Sequence, residues 1–279
     1  MPTFAAPAKI NLSLRILRRR EDGFHELETR MCPVELSDAV KVELADEVSL
    51  TCSVPGIPVG EENLALKALR AFEREAGIEA KVRIHLEKRI PSGAGLGGGS
   101  SDAATVLLAL NEIYAADISK PKLAEIGGGF GSDVSFFIYG GVCDCAGRGE
   151  IVTPVEGRNP LDGRRVILLK PPFGISTPWA YKNWRDSTGY PDFDYAPQTV
   201  DGQKMVNDLE RPVFEKYPVL GCMKMWLREQ TGVDAAMMSG SGSTMFAICE
   251  KGATLSAIAE NARAIFGETL WVCETRIQE

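Results

Sequence analysis

Residues 91–101 read PSGAGLGGGSS, and they stand between an alternating stretch (Val82, Ile84, Leu86) and the apolar run SDAATVLLALNEIY at 101–114. The alternation predicts a strand before the loop, and the apolar run predicts a helix after it. Glycines admit positive φ and let backbone N–H groups converge on an anion, while the following helix adds unsatisfied N–H donors and the positive end of its dipole. Such a loop is a phosphate cradle. A plain glycine linker is the alternative, but flexibility directly ahead of an apolar helix is costly unless the backbone has a task there. Gly93, Gly95 and Gly98 satisfy G-x-G-x-x-G, yet the preceding strand carries Arg83 and His85 where a first dinucleotide-binding strand is apolar on both faces. No Gly-Lys-Ser/Thr closes the loop, which excludes a Walker A motif.

The rest of the composition explains why a local cradle is needed. The chain has 279 residues, with 31 Lys and Arg against 38 Asp and Glu, a formal charge of -7. That balance lacks the basic excess of a nucleic-acid binder, and its weak overall field repels phosphate, so any such ligand must be held by local geometry. Hydrophobic residues are 44% and charged residues 25%, the profile of a folded, water-soluble chain. Two histidines and seven cysteines without a CxxC pair argue against zinc and for free thiols in a reducing cytoplasm. The apolar stretches at 103–110 and 166–169 are far shorter than the ~20 residues that span a bilayer. The N-terminal segment has no charged-then-apolar export pattern, so a cytoplasmic location is expected.

Outward from the loop, Ile10, Leu12, Leu14 and Ile16 alternate with polar residues, and Val40 to Leu44 and Val48 to Val54 do the same, predicting two strands joined through 45–47. Residues 61–76 have helical spacing at Leu66, Leu69, Phe72 and Ala76. The second half opens with the strand RRVILL. Helices are expected from Pro178 and over 204–216, 218–230 and 253–265, with strands over 234–239, 244–249 and 269–275. This order predicts an α+β sandwich. The Pro-, Gly- and charge-rich stretch at 155–163 is the candidate boundary, dividing the chain into 1–158 and 159–279.

PSGAGLGGGSSDAA resembles the second motif of the GHMP small-molecule kinase superfamily, in which this loop wraps the phosphates of ATP. APAKINLSLRILRRREDGFHEL is similar to the N-terminal signature of the branch whose acceptor is a cytidine diphosphate derivative of methylerythritol. GFGSDVSFFIYGG with AGRGE, NDLE at 207–210 and MMSGSGSTMFAI agree with further motifs of that branch, so the likeness runs from Ala6 to about Ile248. The resemblance implies a two-domain α+β GHMP kinase fold, with an N-terminal ribosomal S5-like mixed sheet carrying helices and a C-terminal ferredoxin-like sandwich. It also implies ATP as co-substrate, with Mg2+, and phosphorylation of the acceptor's 2-hydroxyl in isoprenoid synthesis.

Residue by residue, the resemblance makes Asp133 the base that takes the hydroxyl proton and Lys9 its cationic neighbour, which would stabilise charge on the hydroxyl or γ-phosphate. Read without it, Asp133 is a helix cap and Lys9 a solvated lysine. Pro91, Gly93, Gly95, Leu96, Gly97, Gly98, Gly99, Ser100 and Ser101 would hold ATP, with Ser100 or Ser101 available to Mg2+; Asn63 and Lys88 match positions near the adenosine. Phe24 and Tyr181 match the aromatic clamp on cytosine, His25 the reader of its edge, and Asn11 a substrate-facing polar position. Gly240 and Gly242, placed at the acceptor, would bring a second loop against the first; a tight turn between strands is the plain reading. Three departures stand out: Phe24 replaces a tyrosine, Met31 an aromatic, and Ser135 the proline after Asp-Val. The run Arg18–Arg20 is either a diphosphate attractor or a solvated face. Competing functions are a GHMP kinase for another alcohol such as homoserine or mevalonate, a silent nucleotide-binding protein of the same fold, and, more distantly, a Rossmann oxidoreductase.

Overall fold

The computed structural model describes residues 2–250 and 252–279. The chain opens with two long antiparallel strands, β1 (Thr3–Arg19) and β2 (His25–Leu44), followed by β3 (Ser49–Cys52), α1 (Leu64–Ala76) and β4 (Val82–Glu87). After the glycine loop come α2 (Gly98–Ile113), α3 (Lys120–Gly128), α4 (Val134–Tyr139), β5 (Cys143–Gly147) and β6 (Ile151–Pro154). The second half runs β7 (Arg165–Lys170), α5 (Thr177–Asn183), β8 (Gln198–Val200), β9 (Gln203–Asn207), α6 (Glu210–Lys216) and α7 (Pro218–Arg228). It closes with β10 (Val233–Met238), β11 (Met245–Cys249), α8 (Leu255–Phe266) and β12 (Trp271–Arg276).

Strands of 17 and 20 residues stay paired because register shifts at Pro7/Ala8, Asn11/Ser13 and Ile16/Arg18 let them bend. β2 then serves two partners in turn, β5 along 27–31 and β4 along 39–44. The expected strand near 48–54 exists as β3, but it does not form a hairpin with β2. It lies outside β4, parallel to it, so β4 separates the two.

In the second half, β10, β11, β7 and β12 form an antiparallel sheet in that order. With helices after the first and third of these strands in the chain, this is the ferredoxin-like arrangement. The expectation of one helix over 204–216 is corrected. Gln203–Asn207 is a strand in which Met205 and Asn207 turn inward and Lys204 outward, a period of two that overrides helical propensity, and the helix begins only at Glu210. β9 adds parallel to β1 at Ser13 and Leu14, so the N-terminal sheet crosses the 158/159 division.

Three apolar clusters fill the layers. The first packs α1, α2 and α4 on the N-terminal sheet, and the second packs α6, α7 and α8 on the C-terminal sheet. Ala8, Ile10 and Leu12 of β1 meet Val166, Leu168, Met237, Phe246 and Ile248 of the C-terminal sheet in the third, between the sheets. β7 is therefore buried on both faces, which is why it reads as an unbroken apolar run.

Candidate active site

β1 turns Ile10 and Leu12 into the core, so Lys9 and Asn11 point to the opposite face, where the glycine loop lies. Both are buried. Lys9 Nζ donates to Asn11 Oδ1 at 2.6 Å, Asn11 Nδ2 donates to Thr29 Oγ1 at 2.8 Å, and the Thr29 hydroxyl donates to the Ser13 carbonyl at 2.5 Å. Each group in this chain gives one hydrogen bond to the next, which orients the asparagine amide and ties the ammonium to it. Asp133 Oδ2 stands 3.5 Å from Lys9 Nζ; its side chain is 32% exposed, against 5% for the lysine. A buried cation thus faces a carboxylate that remains open to a ligand.

The glycine loop reaches this pair from one side. Gly97, at φ +72°, stands before the first residue of α2, and a Cβ there would press on the Phe137 ring at 2.9 Å and the Lys9 stem at 3.1 Å. Lys9 N donates to Leu96 O at 3.0 Å, locking loop to strand. The second glycine loop, 239–243, comes from the C-terminal sheet. Ser239 Oγ donates to Gly95 O at 3.0 Å and Thr244 N to Ala94 O at 3.2 Å. Gly95 and Gly240 carry positive φ, and a Cβ on Gly95 would collide with the Ser239 carbonyl, while one on Gly240 would meet Lys9 Nζ and Asn11 Oδ1 at 3.3 Å. The two loops and β1 therefore meet at a point only glycines allow. Between them lies a cavity of about 230 Å³ that includes Lys9, Asn11, Thr29, Met31 and Asp133 in its wall.

That cavity opens into a larger cleft of about 1130 Å³ between the 22–27 segment and α5. The clefts share Asp133, Arg148 and Tyr181. His25 lies on Tyr181, ring centroids 5.4 Å apart at 31°, and meets Trp184 edge-on at 6.1 Å. Burial, assisted by the charge of Arg19, holds the His25 imidazole below its ordinary pKa, which favours the neutral ring that can both donate and accept. Burial, with the Asp133 charge adding to it, raises the Tyr181 phenol and keeps it protonated. Phe24 is 52% exposed, with the Arg148 guanidinium 5.0 Å from its ring centroid.

Two family descriptions match the chain: "GHMP kinases N terminal domain" over residues 63–141 and "GHMP kinases C terminal" over 200–268. A 4-diphosphocytidyl-2-C-methyl-D-erythritol kinase of Methylacidiphilum infernorum is 40% identical over 96% of this chain and 93% of that protein. One from Geobacillus thermodenitrificans is 37% identical, over 92% and 91%. The chain belongs to the 4-diphosphocytidyl-2-C-methyl-D-erythritol kinase family. A crystal structure of a kinase of that name superposes with a TM-score of 0.78 at 35% identity, covering 99% of each chain. Methanococcus jannaschii mevalonate kinase, at 10% identity and a TM-score of 0.68, shares the fold. Membership in this kinase family carries ATP as co-substrate.

Within this family member, Lys9, Asn11, Asp133, Gly95, Gly97 and Gly240 converge on one cavity, while Phe24, His25 and Tyr181 converge on the adjoining cleft. Gly242 supports the second loop from behind, where a Cβ would press on Ile175 at 3.0 Å. The helix-cap alternative for Asp133 fails: it precedes α4, but its carboxylate makes no capping bond. Asn63 spends its side chain otherwise than expected, its Oδ1 capping α1 at Ala65 N and its Nδ2 donating to Pro58 O at 2.6 Å. The Lys88 side chain is 6% exposed, and its ammonium is taken up by Asp38 and Asp102. Of the arginine run, Arg20 pairs with Asp22 and Glu26, both at 3.0 Å, while Arg18 and Arg19 line the larger cleft. Ser135, in place of proline, donates to Ala124 O at 2.7 Å and ties α4 to α3.

Sequence reasoning missed Thr29, Arg148 and Asn207. Asn207 Nδ2 donates to both Met238 O and Gly240 O at 2.8 Å, holding the second glycine loop from below. Its signal was the NDLE run, in which Asp208 also accepts from Ile16 N and Glu210 from Met238 N, both at 2.9 Å. These are scaffold bonds between distant segments, which spacing along the chain does not disclose.

Proposed function

We propose that this protein transfers the γ-phosphoryl group of ATP to the 2-hydroxyl of 4-diphosphocytidyl-2-C-methyl-D-erythritol, a step of the methylerythritol phosphate route to isoprenoids. The observation that carries it is the adjacency of two sites: a Lys9–Asp133 pair under two glycine loops, and an aromatic cleft with the half-buried His25 imidazole opening from it. Phosphoryl transfer asks for positioning and charge stabilisation more than for covalent chemistry. Asp133 accepts the proton of the hydroxyl as its oxygen attacks phosphorus. Lys9, held by Asn11, stabilises the charge that develops on the transferred group. Amides of the loop 91–101 and the N-terminus of α2 hold the remaining phosphates.

The acceptor's cytosine fits the cleft between Phe24 and Tyr181, with His25 at its edge; a flat base offers a π-face and a fixed donor and acceptor pattern, which a small aliphatic alcohol lacks. Magnesium ion is expected with the ATP. The hydroxyl of Ser101, buried without a hydrogen-bond partner in the opening turn of α2, and that of Ser100 are the oxygen donors suited to it. Among the described residues no three acidic, histidine or cysteine side chains form a cage, so the phosphates would supply most of its ligands. When bound, the ion offsets negative charge on the phosphates.

A coupled assay of ADP release tests the assignment, with the cytidine diphosphate acceptor run beside homoserine and mevalonate. Turnover is expected with the cytidine compound alone. Turnover with another alcohol while the cytidine compound stays inert would refute it.

A further inference from the structure

Behind the glycine loop lies a buried cluster of charges with no place in the chemistry above. Lys88, just past β4, donates to Asp102 Oδ2 in α2 at 2.5 Å and also to Asp38 Oδ2 in β2. All three side chains are almost completely buried, at 6%, 4% and 0% exposure. Asp38 turns its other oxygen to the backbone of the same segment, accepting from Arg89 N and Ile90 N at 2.5 and 2.8 Å. Among the described residues Asp102 Oδ1 has no hydrogen-bond partner, so Lys88 is what holds this carboxylate.

The cluster touches the phosphate loop. A Cβ on Gly98, the first residue of α2, would stand 3.4 Å from Lys88 Nζ and 2.9 Å from the Ile90 side chain. Gly97 supplies no side-chain cap to this helix, so its first N–H groups are left for a ligand. Asp38 ties β2 to the segment 88–90, and the lysine joins them to α2.

We propose that Lys88 and Asp38 are positioning residues for the nucleotide, acting through Asp102 to hold the opening turn of α2 so that its amides face the phosphates. This deepens the ATP-binding part of the proposed function and rests on it. Breaking a buried ion pair leaves a charge uncompensated, and the element that carries it moves to recover solvent or another partner. Movement of α2 by a fraction of an ångström shifts the loop amides, which weakens the hold on phosphate without touching the acceptor cleft.

The test is binding of a non-hydrolysable ATP analogue to the full chain, measured by calorimetry without acceptor, together with steady-state kinetics. Asp38→Asn and Asp102→Asn keep side-chain shape and remove one charge each. Each is expected to weaken the analogue about tenfold, the scale of a slight misplacement at a positioned site. The double variant should fall short of the product of the two, as partners in one network do. The KM for the acceptor and kcat at saturating nucleotide should change less than about twofold, a split that general loss of stability does not produce. Wild-type affinity in both aspartate variants overturns the proposal, as does affinity lost in Lys88→Met alone, which would mean that the lysine contacts the nucleotide itself. If an aspartate variant does not fold, Lys88→Arg retains the charge on a differently shaped head. It should weaken the analogue in the same direction, and unchanged affinity in it also overturns the proposal. Because no acceptor is present in the binding measurement, an error in the acceptor's identity leaves the result intact.

Discussion

Asp133 occupies the position before a helix where aspartate ordinarily bonds to the first amides, yet its carboxylate stands 3.5 Å from Lys9 Nζ and makes no cap. From the sequence alone both readings are open, because a carboxylate before an apolar run suits either. The lysine that faces the carboxylate supports the proposed base, and it arrives from a strand more than 120 positions earlier. Replacing Asp133 with asparagine keeps the shape and removes the proposed base, so kcat should fall by about 10²- to 10⁴-fold while the fold persists. Single-turnover measurements would check this, and near-normal turnover would reduce Asp133 to a bystander. Lys88 carries the opposite lesson. It stands at a position the resemblance assigned to the nucleotide, but two buried aspartates claim its ammonium. Burial pushes the Asp102 carboxyl up to about 7, with Lys88 opposing that shift and Asp38 adding to it.

At the scale of elements, the loop 91–101 was legible because glycine has no substitute where the backbone must take positive φ and approach another chain segment closely. Gly95 meets both conditions, at φ +74° and against the Ser239 carbonyl. Gly95→Ala should cost about 1–2 kcal/mol for its backbone alone. The collision adds to that and pushes the two loops apart, so the melting temperature should drop and the KM for ATP should rise. An alanine variant with wild-type values of both would show that the loops do not depend on this contact. The strand at 203–207 was less legible. Its alternation is short and runs into an amphipathic helix, so the helical period dominates any window wide enough to detect it. Its partners are β8, which precedes it in a tight hairpin, and β1, nearly 200 residues away.

At the scale of the molecule, the two sheets share a core. Ala8, Ile10 and Leu12 from the first strand pack with Val166, Leu168, Phe246 and Ile248, and Val34 bridges to Ile277 near the C-terminal end. Neither half can keep these side chains from water by itself, so unfolding should be cooperative across the 158/159 division. Calorimetry is expected to give one transition with matching calorimetric and van't Hoff enthalpies. Two separated transitions would mean that the halves fold independently. The shared core also bears on the site, because the second glycine loop belongs to the C-terminal sheet and meets the first only while the sheets stay packed.

The sequence by itself determined the fold class, the glycine-rich loop and the family, since these rest on local signals: glycine where φ must be positive, apolar periods of two and 3.6, and motifs read over a dozen residues. It also set the need for a local cradle, because a chain at -7 cannot attract two polyanions by its overall field. Only the tertiary structure decided that Lys9 is buried against Asn11, that Asn207 holds the second loop, and that Lys88 is buried between Asp38 and Asp102. Those facts depend on which partner completes a buried hydrogen bond or charge. Partners of that kind are set by packing between segments far apart in the chain, where spacing along the sequence carries no information.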